Sequence, residues 1–125
     1  MSQKINSDVY KFKKDHILYN EGDPIKGNSI FLLKKGHGQI IYNLKHDKKL
    51  ILDIPVGSIF GLFETISNEE YRITKVKFIE ESIVSMWQKE DFLINISMIP
   101  ELGLKSIVCL SAFLRTLNQK IQEIG

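Results

Sequence analysis

The chain has 125 residues, 43% of them hydrophobic and 26% charged, with a formal net charge of +2. That length suits one compact domain with a real core, and so small a basic excess, carried on scattered lysines, gives no argument for a nucleic-acid surface. Cys109 is the only cysteine, which excludes an internal disulfide and leaves too few thiolates for an iron-sulfur cluster. No segment approaches membrane-spanning length, so a soluble cytoplasmic protein without a membrane partner is expected.

In chain order, residues 1–9 read as a polar lead-in. Strand signals follow at short intervals over 10–12, 16–19, 29–33, 39–44, 50–54, 72–79 and 83–87. Turn clusters separate them, among them Lys13-Lys14-Asp15, Asn20-Glu21-Gly22-Asp23-Pro24, Lys35-Gly36 and Lys45-His46-Asp47. Many short strands with such punctuation predict a β-sandwich or jelly roll over 10–88.

Past Trp87 the period changes. Lys89-Glu90-Asp91 opens a helical pattern in which Phe92, Leu93 and Ile96 share a face, and Pro100 marks the start of a longer helix, so 89–125 is expected to be helical. Cys109 falls in this pattern as a small core residue. Ile107, Leu110, Leu114, Leu117, Ile121 and Ile124 recur at alternating spacings of three and four, a narrow coiled-coil stripe. The turns around Leu104 are expected to pack on the barrel. The stripe itself predicts a parallel homodimer, its seam flanked by Arg115, Gln119 and Gln122.

The stretch over 55–78 organises the rest. It carries two glycines, Gly57 and Gly61, a short apolar segment, Glu64, a polar loop and then Arg72. Side chains of a strand alternate faces, so if Thr74, Val76 and Phe78 point to a core, Arg72 points inward at its mouth. A guanidinium there keeps its proton and needs an anion, because leaving it unpaired costs several kcal/mol. Two sources are open. One is a ligand phosphate held by Arg72 and by loop amides around Gly61; the other is an internal pair with Glu64.

Catalysis has little support. A jelly roll can be a metal-dependent cupin, but His16, His37 and His46 do not cluster with a carboxylate as such a site requires. No nucleophile has an adjacent base, so neither catalytic nor metal-ligating residues are expected.

The order Phe12-Lys13-Lys14, Glu21-Gly22-Asp23, 30–36, Gly57-Ser58-Ile59-Phe60-Gly61, Arg72 and the closing 90–102 resembles the cyclic nucleotide-binding domain. More narrowly, it is similar to the sensor half of the catabolite activator and FNR-type bacterial transcription regulators. The resemblance implies a mainly β double-stranded β-helix, the eight-stranded jelly roll, with flanking helices. It also implies a phosphate-binding cassette between two strands and a long C-terminal helix that covers the pocket and dimerises. In members that bind cyclic AMP or cyclic GMP, the cassette reads Phe-Gly-Glu, a small residue, then Arg followed by Ser or Thr.

Carried over residue by residue, Phe60, Gly61 and Arg72 fit. Leu62 stands where the ribose-binding Glu belongs and cannot accept a hydroxyl hydrogen bond. Phe63 and Glu64 follow, with Glu64 where a small residue is usual, and Ile73 replaces the Ser or Thr after the arginine. Thr116 and Asn118 on the long helix are the polar candidates for base contacts. Either Glu64 replaces the missing carboxylate toward a ligand, or it pairs with Arg72 and fills the phosphate space.

The resemblance therefore implies an effector-sensing domain over 1–125. It responds to cyclic AMP, cyclic GMP or another small anionic effector and shifts a dimer helix. DNA would be met through a winged helix-turn-helix that lies outside this sequence. The alternative is a stand-alone or ligand-independent protein-interaction module whose pocket is closed by Glu64 and Arg72.

Overall fold

The computed structural model describes residues 3–6, 9–25, 28–44, 46–67 and 69–124, and for 3–6, 28, 29, 63, 66, 120, 121, 123 and 124 the backbone only. Among these residues nine strands form two antiparallel sheets. One sheet has the order β1 (Gln3–Asn6), β2 (Val9–Phe12), β9 (Ser82–Gln88), β4 (Asn28–Lys35), β7 (Ile59–Phe60). The other has the order β3 (Ile17–Tyr19), β8 (Lys75–Phe78), β5 (Gly38–Asn43), β6 (Lys49–Ile54). A short helix α1 (Leu62–Ile66) follows β7, and α2 (Lys89–Met98) and α3 (Pro100–Ile124) close the chain.

The strand alternation explains the two-sheet packing. Leu50, Leu52 and Ile54 of β6 are buried while Lys49, Ile51 and Asp53 between them are exposed, so one face of that sheet meets the core and the other meets water. β4 instead lies between β9 and β7 and is covered on both sides. Its Phe31 and Leu33 enter the core between the sheets with Phe12, Phe60, Val76, Phe78 and Val84. Its Ile30 and Leu32 turn outward to a second cluster with Ile59, Leu62 and Phe92, under Leu102, Cys109 and Leu110 of α3. The long helix is thereby fixed against the outer face of the larger sheet. At the Lys35-Gly36 turn a side chain is excluded: Gly36 has φ of +103°, and a Cβ there would sit 2.2 Å from the Ser82 hydroxyl.

Several expectations are corrected. Residues 1–9 are more than a lead-in, because Gln3–Asn6 forms an edge strand against β2, with an irregular register between Lys4 and Asn6. Backbone pairing at an edge needs no apolar alternation, so the polar sequence gave no signal. β7 has two residues and α1 five, too short for periodicity to register. The ladder of β8 begins at Lys75, three residues after Arg72, although the inward alternation does start there.

On α2, Phe92 is buried but Leu93 is 51% exposed, so the two do not share the covered face. Leu104 is likewise exposed, at 64%; Leu102 and the buried Ser106 supply the contact with the barrel instead. Of the predicted seam, Ile107 and Leu114 are exposed, Leu117 is half-buried and Leu110 packs on the second cluster. Ile121 and Ile124 lie outside the described side chains.

Candidate functional site

Arg72 is placed by its own backbone. Its N–H donates to the Asp23 carbonyl and its carbonyl accepts from the Gly22 N–H, each at 2.8 Å, while Pro24 bridges Tyr71. The Glu21-Gly22-Asp23 turn thus clamps the segment just before β8. From there Arg72, Thr74, Val76 and Phe78 are all buried and the residues between them are not, which aims the guanidinium into the protein.

The opposite wall comes from the Gly61 turn. Gly61 has φ of +76°, a left-handed conformation that lets the chain leave β7 and enter α1 within one residue. α1 then presents Leu62 and Glu64 in different directions. Leu62 joins the apolar cluster beneath the helices, and Glu64, 4% exposed, turns toward Arg72.

Glu64 and Arg72 form a buried ion pair, Nη1 to Oε1 at 3.1 Å. The same Nη1 also donates to the Gly61 carbonyl at 3.3 Å. The guanidinium carbon sits 4.2 Å above the Tyr19 ring and 5.6 Å from that of Phe31, so the cation is held between aromatic faces. The second carboxylate oxygen accepts from the Ile73 N–H and, at 3.2 Å, from the Thr74 N–H, with the Thr74 hydroxyl at 3.5 Å. Tyr19 donates its hydroxyl to Oε1 at 3.5 Å. Burial, and secondly the Glu64 carboxylate, push the Tyr19 phenol well above its ordinary value.

This set of donors is an anion cradle: a guanidinium and two consecutive amides converge on one pair of oxygens. The anion they hold is Glu64 itself. The amides come from Ile73 and Thr74, whereas those around Gly61 were expected; at Gly61 it is the carbonyl that faces Arg72.

Beside the pair lies a cavity of about 290 Å³. The barrel contributes Ile40, Leu52, Ile59 and Ile73, and α3 contributes Val108, Cys109, Ala112, Phe113 and Thr116. Phe60, Gly61, Leu62 and Glu64 also line it, but Arg72 does not, so Glu64 presents the cassette to the cavity in place of the arginine. Among the described residues the only charged ones lining it are Asp53 and Glu64. Asp53 is exposed and pairs with His37 at 3.1 Å.

Of the predicted residues, Phe60, Gly61, Leu62, Glu64, Ile73 and Thr116 come together around the cavity, with Arg72 directly behind Glu64. Asn118 is exposed and does not line it. The side chain of Phe63 lies outside the described residues. Sequence reasoning missed Tyr19 and Thr74 as partners of the pair. Thr74 was legible as inward-facing, but Tyr19 is 53 residues from Arg72 in the chain and carries no local signal. Among the described residues no three His, Cys, Asp or Glu side chains are grouped to hold a metal ion, and no single helix is long and apolar enough to cross a membrane.

A family model described as the cyclic nucleotide-binding domain matches residues 9–96. Among solved structures, the chain is similar to the Thermus thermophilus catabolite activator protein, at 17% identity and a TM-score of 0.72 over 93% of this chain and 54% of that one. A Thermotoga maritima transcriptional regulator is 24% identical, with a TM-score of 0.73 over 93% of this chain and 89% of that one. The c-di-GMP responsive global regulator CLP of Xanthomonas campestris is 16% identical, with a TM-score of 0.77 over 97% and 58%. At these identities the likeness is one of fold, and the chain spans about half the length of the Thermus protein. Curated proteins offer no match.

Proposed function

We propose that this chain, which belongs to the cyclic nucleotide-binding domain family, is the effector-sensing part of a catabolite activator or FNR-type transcription regulator in which Glu64 has taken the place of the effector's phosphate. The observation that carries this reading is the buried Glu64–Arg72 pair inside the cassette. A cyclic nucleotide would have to expel a carboxylate tethered eight residues away, whose effective concentration at Arg72 is of order millimolar or higher. It would also meet Leu62 instead of a ribose acceptor, leaving a buried hydroxyl unpaired at a cost of about 1–3 kcal/mol.

Signal output would run through α3. This helix lines the cavity with Val108, Ala112 and Thr116 and leaves Ile107 and Leu114 exposed on its surface. An occupant that shifts the packing of α3 would therefore move the proposed homodimer seam in both subunits. The setting is a non-catalytic, cytoplasmic protein whose DNA contacts are made by a separate domain. A ligand-independent interaction module draws on the same pair, since Arg72 is neutralised with no effector at all.

Isothermal titration of cyclic AMP and cyclic GMP into the wild type and an Arg72→Ala variant tests the reading. Neither nucleotide should bind the wild type more tightly than the millimolar range. Micromolar binding that is lost in Arg72→Ala would show that Glu64 yields the cradle to phosphate, and the proposal would fall.

A further inference from the structure

We infer that the cavity between the barrel and α3 takes an uncharged, largely apolar small molecule. The inference rests on the reading of Glu64 as the occupant of the phosphate space. At about 290 Å³ the cavity lies near the lower end of the range, roughly 300–1,000 Å³, in which small-molecule sites fall. Its walls are apolar from both sides: Ile40, Leu52, Ile59 and Ile73 face Val108 and Phe113.

Charge decides the ligand class. Among the described residues no lysine, arginine or histidine lines the cavity, and Asp53 and Glu64 are both carboxylates. An anion entering here would be desolvated beside two carboxylates whose cationic partners are already engaged, with no further cation among the described lining residues to receive it. A cation fares little better, because both Glu64 oxygens already accept hydrogen bonds from Arg72, Ile73 and Thr74, and Asp53 is engaged by His37 at the exposed edge. Polar handles remain in the hydroxyls of Ser58 and Thr116, enough to orient one neutral hydrogen-bonding group.

The test uses N-phenyl-1-naphthylamine, a neutral probe that fluoresces in apolar surroundings, and its sulfonated counterpart 8-anilinonaphthalene-1-sulfonate. The neutral probe should bind saturably, one per chain, and at least tenfold more tightly than the sulfonate. Ala112→Trp, at an exposed position on the α3 wall, should fill the cavity and weaken the neutral probe at least tenfold. Thr116→Trp serves the same purpose if the first variant does not fold. Met98→Ser, on the exposed apolar surface of α2, should leave binding unchanged. Absence of saturable binding, a sulfonate that binds as well as the neutral probe, or loss of binding in Met98→Ser would each overturn the inference. Failure of the Glu64 reading appears elsewhere, as micromolar cyclic-nucleotide binding in the titration.

Discussion

Replacing Glu64 by alanine should destabilise the domain and, in the same step, give it an affinity for phosphate. The carboxylate neutralises Arg72 at 3.1 Å and accepts the N–H groups of Ile73 and Thr74, and the pair is almost fully buried on both sides. Breaking a buried pair by removing one partner costs about 3–5 kcal/mol, since the other charge is left without compensation. For a chain of this size each kcal/mol is worth about 4 °C, so Tm should fall by about 12–20 °C.

The emptied cradle would keep one guanidinium and two amide donors, the groups that suit a phosphate. At about one hundred times its dissociation constant, cyclic AMP should return about 2.7 kcal/mol, and Tm should recover by about 10 °C. Thermal unfolding followed by circular dichroism at rising cyclic AMP measures both effects. Glu64→Ala unfolding within about 1 kcal/mol of the wild type, on the scale of an ordinary surface substitution, would refute the energetic argument. Equal gains from cyclic AMP in both proteins would refute the claim that Glu64 and phosphate compete for one place.

Two other predictions concern the dimer and the alkaline limb. Leu114→Asp combined with Leu117→Asp should give monomers by sedimentation velocity at micromolar concentration, where the proposed seam predicts a dimer for the wild type. Burial, and secondly the Glu64 carboxylate, raise the Tyr19 phenol in the fold above the value near 10 at which it titrates in the unfolded chain. The unfolded state therefore binds fewer protons above pH 10, so this contribution to stability is intact below that pH and is lost progressively as pH rises. Urea denaturation between pH 9 and 11.5 should show stability falling more gently with pH in Tyr19→Phe than in the wild type, the difference in slope growing toward a limit of about 1.4 kcal/mol per pH unit above pH 10.

How far the site was legible depends on the range of the interaction. Period-two alternation over 72–78 is a local signal, and the inward positions it marks, Arg72, Thr74, Val76 and Phe78, are all buried. Which anion meets Arg72 was not legible. That depends on the direction in which the five residues of α1 turn Glu64, and so short a helix has no periodicity to read. Tyr19 stacks on the guanidinium across two-fifths of the chain, a contact set by the pairing of β3 with β8. The helices mislead for another reason. Both faces of α2 carry apolar residues, so Leu93 and Phe92 look alike in sequence although only Phe92 reaches the sheet.

The central claim is that the cradle of Arg72, Ile73 and Thr74 is already filled by Glu64. Its most direct test is the pair of Ile73 and Thr74 amide resonances in a proton–nitrogen spectrum, with and without saturating cyclic AMP. The account predicts that both stay in place in the wild type and that both move in Glu64→Ala. Displacement of the two wild-type resonances by the nucleotide would contradict it.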